Sequence, residues 1–155
     1  MRQSASYSPK AKWPIESEDS ALAQVHGRLL VAEDDSDFRA LLAAALRAAA
    51  YEVVEVSNGF DLLEILSDSL TAGGGIGSFD LVLSDIQMPG WTGLDVLASL
   101  GHGPSLPPVI LITAFGDDEL RRRAKSAGAV SVLSKPLDID DLCLCVRRFL
   151  QLRAN

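Results

Sequence analysis

Five short apolar runs, each followed by a segment of helical periodicity, constrain this chain more than any other feature. Leu29-Leu30-Val31-Ala32 ends in Glu33-Asp34-Asp35, and Phe38, Leu41, Leu42, Ala45, Leu46 and Ala49 then recur at helical spacing. Glu52 to Ser57 reads as a Val-rich strand, Asn58-Gly59 as a turn, and Phe60 to Leu70 as an amphipathic helix. Thr71 to Ser78 is a Gly-rich loop, and Phe79 to Ser84 is a second buried-type strand ending in Asp85. Met88-Pro89-Gly90 turns the chain into a helix near Gly93 to Leu100. Pro108 to Thr113 reads as a strand, Asp117 to Ala127 as a helix, and Val130 to Ser134 as a strand broken by Lys135-Pro136. Asp138 can cap a last helix running to about Leu152. Strands that are apolar along their whole length suit a parallel sheet covered on both faces. The expectation is an α/β fold: a doubly wound five-stranded parallel sheet with helices on both faces.

In such sheets, sites form at the carboxyl ends of the strands, near the point where strand order reverses. The residues expected there are Glu33, Asp34 and Asp35 after the first strand, Asp85 at the third, Thr113 and Ala114 at the fourth, and Lys135 at the fifth. Clustered carboxylates raise one another's pKa unless a cation sits among them. Oxygen ligands with open positions suit Mg²⁺, which shares its shell readily with a phosphoryl group. Lys135 supplies a point charge and Thr113 a hydroxyl donor for further phosphoryl oxygens. The set suits a phosphoryl group, with a carboxylate as the attacking atom.

The text Leu30-Val31-Ala32-Glu33-Asp34-Asp35, Leu83-Ser84-Asp85-Ile86-Gln87-Met88-Pro89-Gly90, Ile112-Thr113-Ala114, Ala127-Gly128-Ala129 and Lys135-Pro136 resembles the receiver domain of two-component response regulators, a flavodoxin-like fold. The similarity covers about Arg28 to Leu152. The resemblance implies that Asp85 is the phosphoacceptor, supplied by a histidine kinase or histidine phosphotransfer protein. It implies Mg²⁺ bound by Asp34, Asp85 and the Gln87 carbonyl, with Glu33 reaching the ion mainly through water. Lys135 and Thr113 would bind the phosphoryl oxygens with the Ala114 N–H, and Lys135-Pro136 matches a cis peptide of the family. The place three residues before the Lys, often aromatic and part of the switch with Thr113, is Val132 here, so the usual aromatic readout is in question. Phe115 would restrict water and slow dephosphorylation.

The chain of 155 residues is long enough for one domain, and its 48% hydrophobic and 23% charged residues are ordinary for a globular protein. Its net charge of -7 disfavours direct DNA binding. No run approaches the roughly 18 uncharged apolar residues of a membrane span, so a cytoplasmic protein is expected. Residues 1–26 read as a flexible tail with a short helix near Glu16 to Val25, residues 27–152 as the receiver domain, and residues 153–155 as the end. Cys143 and Cys145 read as partly buried thiols, Arg121-Arg122-Arg123 as a solvated helix face, and His26 and His102 as loop residues without partners.

The chain stops soon after the last helix, which implies output by switching a protein–protein surface formed by the last two helices and the strand between them. A downstream protein target and a monomer or weak dimer are expected. The alternatives are a receiver-fold interaction domain working without phosphorylation, and a receiver fragment of a hybrid histidine kinase. An enzyme is not expected. A haloacid-dehalogenase-type phosphohydrolase would need an acid two residues after Asp85, where Gln87 stands.

Overall fold

A computed structural model describes residues 26–71, 78–101, 103 and 105–154. Five strands and five helices alternate among these residues. They are β1 (Gly27–Ala32), α1 (Ser36–Ala48), β2 (Tyr51–Val56), α2 (Gly59–Thr71), β3 (Leu81–Asp85), α3 (Gly93–Leu100), β4 (Val109–Thr113), α4 (Asp118–Ser126), β5 (Ser131–Ser134) and α5 (Ile139–Ala154). The sheet is parallel throughout, in the order β2-β1-β3-β4-β5. Strand order reverses between β1 and β3, so the crevice lies where those two strands end side by side, with Ala32 in register with Ser84.

Alternate residues of each central strand feed two cores. Leu29, Val31, Leu81, Leu83 and Ile110 pack with Leu42 and Leu46 of α1 and Leu142 and Val146 of α5. Leu30, Ala32, Val82 and Leu111 pack on the other face with Leu62 and Leu66 of α2, Leu94 and Leu97 of α3, and Ala124 of α4. Each fully buried Leu or Ile contributes about 1.5–3 kcal/mol of transfer free energy. The apolar stripe of α5 is therefore largely core, with Leu144 left exposed.

Local chemistry sets the helix starts. The Asp35 carboxylate accepts the N–H groups of Asp37 and Phe38 ahead of α1. Thr92 and Asp95 form a reciprocal capping box at α3, and Asp117 accepts the Leu120 N–H at α4. Asn58-Gly59 is not a turn between elements. The Asn58 side chain accepts the Asp61 N–H and donates to the Asp61 carboxylate, so helix α2 begins at Gly59 itself. The same Asn type serves turns and caps alike. Thr71 belongs to α2; residues 72–77 of the Gly-rich loop, His102, and the tail with its expected helix near Glu16 to Val25 lie outside the described residues.

Two further expectations need correction. His26 does have partners: its N–H donates to the Ala50 carbonyl and its ring meets Tyr51 edge-on at 6.1 Å. Arg121 does not share a solvated face with Arg122 and Arg123. Its guanidinium folds back across β5, because two oxygen acceptors lie there within reach of its fork.

Candidate functional site: a carboxylate cluster at the strand ends

Glu33 follows β1 and Asp85 ends β3, so the topology places both at the crevice. Asp85 is 4% exposed and Glu33 2% exposed, while Asp34 faces solvent. Carboxylate oxygens of all three lie within 4.8 Å of one another. The Lys135 ammonium donates to Asp85 Oδ2 at 2.7 Å and to Glu33 Oε1 at 2.9 Å. It also rides 4.8 Å above the Phe38 ring. Its backbone is fixed by a 2.7 Å hydrogen bond from its N–H to the Thr113 carbonyl and precedes a cis bond to Pro136.

The remaining oxygens have defined partners. Asp85 Oδ1 accepts the Gln87 N–H at 2.9 Å, and Glu33 Oε2 accepts the Asp35 N–H at 3.1 Å. Arg39 donates to the Glu33 carbonyl and pairs with Glu55, anchoring this corner to β2. Helix α3 starts directly on the back of Asp85. A Cβ on Gly93 would lie 2.5 Å from the Asp85 carbonyl oxygen and 2.6 Å from Ser84 Oγ. A Cβ on Gly59 would overlap the Trp91 carbonyl oxygen, so the loop from β3 to α3 is wedged against α2.

Burial, aided by the nearby Asp85 and Asp34 carboxylates, pushes the Glu33 carboxyl up to about 7 despite its bond to Lys135. Burial alone would lower the Lys135 pKa, but its hydrogen bonds to Asp85 and Glu33 outweigh that and raise it. Lys135 is therefore a fixed cation, and it is one ammonium among three crowded carboxylates. Hard oxygen donors left in that balance fit a divalent cation such as Mg²⁺.

Thr113 is fully buried at the end of β4, and its Oγ1 accepts the Phe115 N–H at 3.0 Å. Ala114 is exposed beside it, and the Phe115 ring is three-quarters exposed. Gln87 is exposed after Asp85. Val132 is half-buried and packs against the core. The sequence reading places Glu33, Asp34, Asp85 and Lys135 at one rim, and the structure brings these four together. That reading missed Phe38, Arg39 and Gly93, whose parts depend on what lies across space; only Gly93, just after a capping Thr, carried a local signal. Cys143 and Cys145 are free and half-buried, and burial raises the Cys143 thiol pKa.

Among the described residues, no helix is long and apolar enough to cross a membrane. The transcriptional regulatory protein PdtaR of Mycobacterium tuberculosis is 34% identical over 137 residues, covering 85% of this chain and 62% of that protein. The chain thus spans about three fifths of that relative's length. Sporulation initiation phosphotransferase F of Bacillus subtilis is 28% identical, with 83% of this chain and 97% of that protein covered. The crystal structure of the signal receiver domain of a signal transduction histidine kinase from Syntrophus aciditrophicus superposes with a TM-score of 0.68 at 29% identity, covering 81% of this chain and 90% of that one. Residues 29–147 match the family model of the response regulator receiver domain, and the chain belongs to that family of signalling modules.

Proposed function

We propose that the chain receives a phosphoryl group on Asp85 from a phosphohistidine of a histidine kinase or histidine phosphotransfer protein. The observation that carries this reading is the convergence of Asp85, Glu33 and Lys135 within direct hydrogen-bonding distance, although Lys135 is 50 residues from Asp85 and 102 from Glu33 in the chain. An Asp85 carboxylate oxygen forms a bond to phosphorus as the P–N bond to the donor imidazole breaks, and the imidazole leaves with the electron pair and takes a proton. The product is an acyl phosphate, which water hydrolyses at phosphorus to return the carboxylate and inorganic phosphate.

The chain's own groups position this exchange. The Gln87 N–H and the Lys135 ammonium each hold one Asp85 oxygen, which orients the carboxylate. Lys135 can follow charge from the carboxylate to a phosphoryl oxygen without moving its backbone. The Thr113 hydroxyl and the Ala114 N–H are the donors for another oxygen. Glu33, Asp34 and Asp85, with the Gln87 carbonyl, would hold Mg²⁺, which when bound neutralises the charge of the carboxylates and phosphoryl oxygens. The setting is cytoplasmic, and output passes through a protein target rather than DNA.

The test is intact-mass measurement after incubation with acetyl phosphate and Mg²⁺. One phosphoryl mass is expected on the wild-type chain and none on Asp85→Asn. Uptake that persists in Asp85→Asn would overturn the assignment.

A further inference from the structure

We propose that Arg121 couples the phosphoryl site to the outer edge of the sheet, acting as a clamp that is closed on β5 at rest and displaced when Asp85 is phosphorylated. The proposal rests on the reading of Asp85 above. Arg121 Nη1 donates to the Val132 carbonyl at 3.0 Å, and Nη2 donates to Ser134 Oγ at 2.6 Å. β5 is an edge strand, paired with β4 on one side. One planar fork thus engages two oxygen acceptors of this edge strand, which a single ammonium could not do in the same geometry.

The fork also lies beside the same backbone position as Thr113. A Cβ on Gly116 would lie 2.8 Å from Ser134 Oγ, 3.3 Å from Arg121 Nη2 and 3.3 Å from Thr113 Cγ2. Thr113, Ser134 and Arg121 therefore surround one backbone position in the loop between β4 and α4. That loop is tied at both ends. Thr113 Oγ1 holds the Phe115 N–H, and Asp117 caps α4 while its own N–H donates to the Phe115 carbonyl. Turning the Thr113 hydroxyl toward a phosphoryl oxygen on Asp85 withdraws the acceptor from Phe115 and swings the methyl group beside Gly116. Thr113 is fully buried, and a close-packed surrounding cannot absorb that rotation locally. The neighbour able to yield is the long, partly exposed side chain of Arg121. Val132, a β-branched residue with a stiff χ1, offers no comparable moving part.

The full-length chain is examined by hydrogen–deuterium exchange over residues 118–134, with and without beryllofluoride and Mg²⁺, alongside phosphoryl uptake by intact mass. Without the mimic, Arg121→Ala is expected to exchange about fivefold faster at β5 than wild type, since two charge-assisted hydrogen bonds are lost. Beryllofluoride should then add less than about a third of the wild-type change, because the resting population is already shifted. Phosphoryl uptake should stay within about twofold of wild type. Arg121→Lys and Ser134→Ala, each sparing part of the contact, should fall between; they carry the test if Arg121→Ala does not fold. Wild-type exchange at β5 in Arg121→Ala, or a full beryllofluoride response in it, would overturn the clamp. So would a wild-type chain that gains phosphoryl mass with no change at β5. A wild-type chain that gains no phosphoryl mass overturns the reading of Asp85, and the clamp with it.

Discussion

Strands β3 and β5 lie two places apart in one sheet and differ in almost every physical respect. All five residues of β3 are buried, whereas none of the four in β5 is fully buried. The helix that follows β3 buries Leu94, Val96 and Leu97, whereas α4, leading into β5, buries Ala124 alone. Charge divides the same way. Residues 51–120 hold 11 Asp and Glu and no Lys or Arg, whereas residues 121–155 hold eight Lys and Arg and three Asp. The Asp85 carboxylate is thus set in the fully buried centre, and the ammonium that pairs with it follows the more exposed edge strand. The carboxylate cluster lies where the two meet, through the contact of Lys135 with Asp85.

That contrast can be broken by paired truncations. Leu83→Ala in β3 should cost about 2–5 kcal/mol, because a fully buried Leu leaves a cavity between packed layers. Val132→Ala in β5 should cost about 1 kcal/mol or less, since that side chain is already part-exposed. Denaturant titration measures both, and equal costs would show that centre and edge are not different in kind. Glu33 sharpens the comparison. Its folded-state carboxyl titrates at about 7 against 4.5 for the ordinary group, mainly because it is buried. Between those values the folded chain holds a proton that the unfolded chain has lost, so stability falls as pH rises through this window and levels off above it. In metal-free buffer the melting temperature of wild type should drop from pH 5 to pH 7.5 relative to Glu33→Gln, a relative loss of about 2 kcal/mol. A parallel pair of curves would mean the burial of Glu33 carries no such cost. The smallest effect belongs to the edge: Glu119→Ala, which removes the exposed pair with Arg122, should change stability by less than about 0.5 kcal/mol in the same titration.

Most of this arrangement is legible in the sequence. Short apolar runs ending at polar or charged residues mark every strand to within one or two residues, and the rule of strand ends directs Glu33, Asp34, Asp85, Thr113 and Lys135 to one rim. What escaped was either degenerate in local chemistry or decided across space. Asn58-Gly59 is equally good text for a turn and for a helix start, and only the reach of Asn58 to Asp61 separates them. Arg121 sits in a run of three identical residues, and nothing local says which of them meets β5. The α1 helix ends through Ala50 at φ +70, a conformation that glycine ordinarily fills, so no letter marked it.

The contact between Gly59 and Trp91 makes two distant stretches of the chain a single engineering unit. With no room for even a methyl group between them, the loop behind Asp85 cannot be transplanted into another scaffold without also bringing the bare backbone of residue 59. Any redesign of the sequence after Asp85 therefore begins one helix earlier.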